Sequence, residues 1–309
     1  MRREISLKII FTLFLIVVLG SCSTDENTPE ELELDEVQED IVEEEEVIED
    51  VDESVNLPEI DLGNWKVTLP IETNGKPIEV EPPEILNYAT NEVLKPFMYN
   101  DSINGALVFY TYPGATTTNS SYSRTELREQ MDPGSNATNW TFKQGGNMKG
   151  TISLDEISRD QDDDYHRTMV MQIHGRLTND QRDLIGENDN NAPPMLKIYW
   201  QDGYVRAVTK ALKDLNVTDT EILFTDAWED GESYIFPEKV DLEKFTVEIK
   251  VSEGRIEVIL NEDTSKTFEG VHIEKWDVFE NYFKAGNYLQ TTDSEAFAKV
   301  RFYDLVVEH

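Results

Sequence analysis

Cysteine is nearly absent. The chain of 309 residues holds one, Cys22, so no intrachain disulfide can form and stability must come from core burial. Histidine is scarce too, with four residues. No cluster of His, Cys and acids has metal-ligand spacing, so neither a metal nor a cofactor is expected. Asp162-Asp163-Asp164 reads as an acidic loop, with a bound cation as the alternative. Basic residues are outnumbered: 27 Lys and Arg stand against 63 Asp and Glu, a net charge of −36. A globally acidic surface argues against nucleic acid as a partner. It says less about a small acidic ligand, which responds to the local field of a cleft. There is no Gly-rich phosphate loop, no Gly-x-Ser-x-Gly nucleophile turn and no internal repeat. Helical periodicity is thin, with short candidates at Pro83 to Tyr88 and Ala207 to Leu215.

The two ends of the chain differ sharply in composition. Residues 1–21 read as a signal peptide: Arg2 and Arg3 start it, and Ile9 to Leu19 is apolar but too short for a mature membrane helix. The segment closes on Leu19-Gly20-Ser21-Cys22, which resembles a bacterial lipobox, where the cysteine becomes the lipidated first residue. A plain secretory signal with an incidental Cys22 is the alternative. Residues 22–56 carry 17 Asp and Glu and no Lys or Arg, the pattern of an acidic disordered linker that holds a domain away from a membrane. An acidic stretch soon after such a cysteine also resembles the surface-export signal of Bacteroidota lipoproteins. These features predict an exported outer-membrane lipoprotein at the cell surface, attached to the membrane through Cys22 and acting as a monomer. Residues 57–309 remain, with 24 Lys and Arg against 45 Asp and Glu, a net −21. That length suits one large domain with a substantial core.

Within it, short alternating runs recur between Gly, Asn, Asp and Pro. Trp65 to Pro70, Ala106 to Tyr112 and Lys244 to Val251 are examples. Gly254 and Arg255 lead from the last of these into Ile256, Val258 and Leu260, a hairpin signal. Many evenly spaced strands and few helices predict an all-β jelly-roll sandwich, concanavalin-like, with a concave sheet as a groove.

Three strands carry one polar face each. In Ser123 to Gln130 the period of two aligns Arg124, Glu126, Arg128 and Gln130, with Leu127 facing the core. A carboxylate between two guanidiniums fixes them, and they can then clamp an external carboxylate. In Met171-Gln172-Ile173-His174, an amide that can donate to an oxyanion shares a face with an imidazole that can move protons. In Tyr282 to Gln290, the shared face holds Tyr282, Lys284, Gly286, Tyr288 and Gln290. A phenol beside cations is a usable proton-transfer group. A glycine inside a strand marks close approach by a ligand or another backbone; here a sugar at Gly286 is expected. Each face alone also reads as an ordinary solvated sheet surface. Glu126, flanked by two arginines, reads as their ion-pair partner and not as a general acid, which weighs against a two-carboxylate glycosidase.

The chemistry that uses a carboxylate clamp, an amide, an imidazole and a phenol is β-elimination on a uronic-acid polymer. The C5 proton becomes removable once the neighbouring carboxylate is neutralised, and an acid protonates the departing O4. At this point the residues resemble a known family. Arg-Thr-Glu-Leu-Arg at 124–128, Gln-Ile-His at 172–174 and Tyr-Phe-Lys-Ala-Gly-Asn-Tyr-Leu-Gln at 282–290 resemble, in order, the signature motifs of the alginate lyases of polysaccharide lyase family 7. The opening Trp65 to Ile71 also resembles that family's start.

The resemblance implies a β-jelly roll, no required metal and cleavage of 1,4-linked mannuronate and guluronate. It implies that Arg124 and Gln172 neutralise the uronate carboxylate with help from His174. Tyr288 would be the acid, and the base on mannuronate; His174 would be the base on guluronate. Arg128, Lys284 and Gln290 would line subsites, and Glu126 would orient the arginines. Leu289 departs from the family, which often has Asn there, but it alternates away from the polar face. Ile173 in place of valine resembles members that accept guluronate-containing blocks. The rival readings are a non-catalytic glycan-binding lipoprotein, a lyase for another uronate polymer such as glucuronan, and a glycoside hydrolase sandwich.

Overall fold

The computed structural model describes residues 57, 58 and 60–309. The expected signal peptide, the lipidated Cys22 and the acidic linker lie outside these residues. In chain order, β1 (Trp65–Thr73) and β2 (Lys76–Val80) form a hairpin, as do β3 (Met98–Asp101) and β4 (Ala106–Thr111). Next come β5 (Arg124–Glu129), β6 (Gly146–Ile157) and β7 (Thr168–Arg176). A short helix, α1 (Asn179–Ile185), precedes β8 (Asn191–Gln201), β9 (Tyr204–Leu212) and β10 (Trp228–Lys239). A second meander, β11 (Phe245–Ser252), β12 (Arg255–Leu260) and β13 (Thr264–Glu269), is followed by α2 (Val271–Lys275). β14 (Glu280–Leu289) and β15 (Ala298–Glu308) close the chain.

These strands form two antiparallel sheets. The front sheet runs β10-β9-β8-β7-β14-β5-β1-β2, and the back sheet runs β13-β12-β11-β6-β15-β4-β3. The chain crosses between the sheets several times, so the central strands β5, β7 and β14 come from distant parts of the sequence. The expected all-β sandwich is therefore what the chain adopts. Its core lies between the sheets: Leu127, Ile173, Phe283 and Ala285 from the front meet Phe109, Met148, Ile152 and Phe302 from the back, all fully buried. Each of the Leu, Ile, Met and Phe side chains among them contributes about 1.5–3 kcal/mol of transfer free energy. Phe109 and Phe302 pack edge to face at 5.5 Å.

Polar side chains also bridge this layer, Asn287 above all. Asn287, fully buried on β14, donates through Nδ2 to the carbonyls of Phe109 and Ala298 in the back sheet, at 2.9 and 2.8 Å. Its Oδ1 accepts from Thr168 at 2.9 Å, and its carbonyl accepts from Thr111 at 3.2 Å. Every polar group of the side chain is thus satisfied, as burial demands.

The predicted hairpin is present, with Ser252 opposite Arg255 and Gly254 in the left-handed region (φ 69°). One local expectation needs correction. Ala207 to Leu215 is not a helix: Ala207 to Leu212 belong to β9, with Val205, Ala207 and Thr209 facing inward. Pairing with β8 and β10 overrides the helix propensity of Ala, Lys and Leu there. Residues 216–237 include most of β10, and residues 181–194 include most of α1. That helix starts on a capping box, with Thr178 and Gln181 exchanging bonds, and ends at Gly186 (φ 73°). Pro83 to Tyr88 does contain a 3-10 turn, at Glu84–Asn87.

Candidate active site

The outer face of the front sheet is an open groove, and the three polar-faced strands lie side by side at its centre. β14 is flanked by β5 and β7. Register sets the neighbours: Tyr288 lies opposite Arg124, Gly286 opposite Glu126, and Lys284 opposite Arg128 on one side. On the other side Tyr282 lies opposite His174 and Lys284 opposite Gln172. Arg124, Arg128, Gln172, His174, Lys284, Tyr288 and Gln290 all line the groove.

Glu126 organises the centre. It is 1% exposed and accepts from Gln172 Nε2, Lys284 Nζ and, at 3.3 Å, Arg124 Nη1. One carboxylate thus aims three different donors, each keeping further N–H groups for a ligand. Arg128 is not among them, contrary to the expectation that Glu126 fixes both arginines. It donates instead to the Glu129 carbonyl (2.5 Å) and Asn139 Oδ1 (2.9 Å) and lies over the Tyr282 ring at 4.1 Å. Direct cross-strand pairing with Lys284 leaves Arg128 one row away, and the loop residue Asn139 captures it.

Burial lowers the Lys284 pKa to about 8, opposed by the attraction of Glu126. His174 is pushed down to about 3, chiefly by burial and then by the charge of Lys284. It is therefore neutral near neutral pH. Its Nδ1 lies 3.0 Å from the Gly175 carbonyl, which can only accept, so the proton sits on Nδ1 and the Nε2 lone pair is free. Tyr282 stacks on this ring, and its hydroxyl lies 3.1 Å from Nδ1. That gives Tyr282, which the sequence left without a role, a part in holding the imidazole.

Tyr288 lies under the Arg124 guanidinium, 3.8 Å from ring centroid to Cζ. Its hydroxyl bonds Ser120, and Tyr122 meets its ring edge-on at 6.4 Å. Gln290 donates to the Tyr288 carbonyl at 3.0 Å. Gly286 departs from expectation. Its φ is 137°, and a Cβ there would sit 2.7 Å from the Thr125 carbonyl oxygen, so the close approach is by strand β5 and not by a sugar. The register of β14 against β7 slips between Ala285 and Tyr288, a bulge that re-aims Tyr288.

Ser120 and Tyr122, on the loop before β5, were invisible as site residues because no strand period reaches them. Arg176 and Lys197 also line the groove. Arg176 continues the period of two from His174, a signal that one more step along β7 would have found. Among the described residues no group of three or more His, Cys, Asp or Glu comes together as a metal site. Asp162 and Asp164 instead donate backbone N–H groups to Asp160 Oδ1.

A family model described as alginate lyase matches residues 60–309. Among solved structures, the chain is similar to alginate lyase A1-II', a member of polysaccharide lyase family 7. The two are 27% identical over 81% of this chain and 96% of that one, with a TM-score of 0.62. A variant of the same protein in complex with the substrate GGMG is 26% identical, covering 81% and 94%, with a TM-score of 0.63. An alginate lyase from Pseudomonas aeruginosa, 22% identical over 81% and 99%, shares the fold with a TM-score of 0.59. No curated protein matches the chain.

Proposed function

The chain belongs to the alginate lyase family across residues 60–309, and from that premise we propose how its own residues perform the reaction. It is a polysaccharide lyase acting on alginate. Family membership sets aside the glycan-binding and hydrolase readings.

Elimination requires three things at one sugar. The C5 proton must leave to a base, the C4–O bond must break as the C4=C5 double bond forms, and the departing oxygen must gain a proton. The uronate carboxylate must be neutralised first, because charge builds on it as the proton leaves. Arg124 and Gln172 take that task, aided by His174, with Lys284 beside them. Glu126 keeps these donors pointed into the groove, so little reorganisation is needed during the reaction. Tyr288 is the acid, and on mannuronate also the base. On guluronate, whose C5 proton lies on the opposite face, His174 Nε2 is the base. Its low pKa fits an empty groove; a bound uronate offsets the repulsion of Lys284 and raises it. Arg128 and Gln290 line the neighbouring subsites.

One observation supports this reading most: a phenol and a neutral imidazole flank a single set of donors ordered by one buried carboxylate. The assay is near-ultraviolet absorbance of unsaturated ends during incubation with mannuronate, guluronate and mixed blocks. Activity is expected on at least one. Tyr288→Phe keeps the fold and substrate binding and loses at least ~10²-fold in rate. Silence of the unsubstituted protein on all blocks refutes the lyase activity, and near-normal turnover of the variant removes Tyr288 from its role.

For the cellular setting, the sequence Leu19-Gly20-Ser21-Cys22 supports an exported lipoprotein of the outer membrane, and the acidic stretch that follows it supports display at the cell surface. Cys22→Ser is expected to release the protein from membrane fractions, and its continued sedimentation with them would refute the anchor.

A further inference from the structure

The Tyr288 hydroxyl finds its hydrogen-bond partner on the rim of the groove and not on its floor. That partner is Ser120, in the loop 112–123 that joins β4 to β5. The loop is fastened without this contact. Ala115 N–H donates to the Pro70 carbonyl at 2.7 Å, and Gly114 N–H to Ser123 Oγ at 2.7 Å. Ser120 N–H closes a turn onto the Thr117 carbonyl at 3.1 Å. A bond from Ser120 to the phenol therefore calls for an account beyond holding the loop in place.

A serine hydroxyl has one proton and two lone pairs. Two contacts with Tyr122 decide how Ser120 uses them. The Tyr122 carbonyl, 3.0 Å away, can only accept, so the proton points there. The Tyr122 N–H, 3.2 Å away, can only donate, and it occupies one lone pair. One lone pair remains for Tyr288, so the phenol donates to Ser120. A phenolate reverses the demand, because it can only accept. Ser120 meets it by turning its proton from the Tyr122 carbonyl to the Tyr288 oxygen, a rotation about one bond. It gives up a neutral hydrogen bond for a charge-assisted one, which is about twice as strong.

We propose that Ser120 is a positioning residue that serves both states of Tyr288, accepting from the phenol and donating to the phenolate. The proposal rests on the alginate lyase reading above. On mannuronate the phenolate oxygen takes the C5 proton and the C4–O bond breaks as C4=C5 forms. The same proton then passes to the departing oxygen, and Tyr288 is a phenolate again. On guluronate the C5 proton goes to His174 Nε2 and the phenol proton to the departing oxygen, which leaves Tyr288 as a phenolate. Ser120 keeps its own proton throughout. Both routes pass through the phenolate, and both use the serine in its second orientation. A bond that responds to the proton on Tyr288 acts on kcat and leaves KM in place.

The test compares Ser120→Ala and Ser120→Thr with the unsubstituted enzyme on each alginate block that enzyme cleaves. Losing a hydrogen bond to a charged group is expected to lower kcat in Ser120→Ala by about 10- to 100-fold, with KM unchanged. Ser120→Thr keeps the hydroxyl and is expected to recover most of the rate. A loop that only closes over the substrate gives the other pattern, in which KM rises and kcat moves little. A normal kcat in Ser120→Ala, a loss carried by KM, or a threonine variant as slow as the alanine one would each overturn the proposal. Thermal unfolding of each variant confirms that it is folded. Failure of the underlying lyase reading is distinct, since the unsubstituted enzyme would then release no unsaturated product from any block.

Discussion

Glu126→Gln keeps the shape of the central side chain and removes its charge. Glu126 is 1% exposed and Lys284 6%, so solvent screens neither partner. Taking one member out of a buried ion pair costs about 3–5 kcal/mol. In a domain of this size that is a fall in Tm on the order of 10 °C. Lys284 has one route of relief, which is to give up its proton. Burial already holds its pKa at about 8, and Glu126 is the main influence holding it that high, so the variant's lysine deprotonates at lower pH. The sign follows from proton counting. Between the folded pKa and the unfolded value of 10.5 the unfolded chain binds more protons, so stability rises with pH across that window. In the parent the window opens at about 8; in the variant it opens lower. The stability gap between them is therefore widest below the variant's lysine pKa and narrows as pH rises toward about 8. Activity moves with it. The pH dependence of kcat/KM reports the free enzyme, and its alkaline limb is expected near the parent lysine's value and at lower pH in the variant. Thermal unfolding by circular dichroism and initial rates by near-ultraviolet absorbance, both from neutral to alkaline pH, measure the two effects. A limb that stays in place, together with a gap that does not change with pH, would refute the role given to the Glu126–Lys284 pair.

Two further substitutions probe the surroundings of the site. Gly286→Ala forces a side chain into a positive-φ bulge against the Thr125 carbonyl; it should destabilise the domain by about 1–3 kcal/mol in urea unfolding and misplace Tyr288, lowering kcat. His309, on the far side of β5 from the groove, bonds Glu129 at 2.5 Å; burial alone would lower its pKa, but that carboxylate raises it overall. This contact is fully formed below the unfolded value of 6.5 and fades as pH rises through the higher folded value, so the Tm gap between parent and His309→Ala should shrink with rising pH.

The three central strands were readable because each has one wet and one dry face, and a period of two separates them without knowledge of any partner. Arg124, Gln172, His174, Lys284, Tyr288 and Gln290 converge on one groove for that reason. What the period could not give is anything decided between strands. The bulge at Gly286 depends on register with β7, and the partners of Arg128 come from the loop that holds Asn139. Lys197 gains meaning only once β8 lies beside β7, and Ser120 only once its loop reaches Tyr288. The helical reading of Ala207 to Leu215 failed on the same ground, since a local propensity of a few tenths of a kcal/mol per residue yields to two flanking strands.

Asn287 sits one residue before Tyr288, and its amide ties that point of β14 to strands β4 and β15 of the opposite sheet. The backbone beneath the phenol is therefore clamped from behind as well as from both sides. A segment held in this way exchanges its amide hydrogens only when the whole domain opens. Any movement that admits a polymer or releases its fragments must then belong to the rim, above all to the loop carrying Ser120 and Tyr122, while the phenol stays still and the walls come to it.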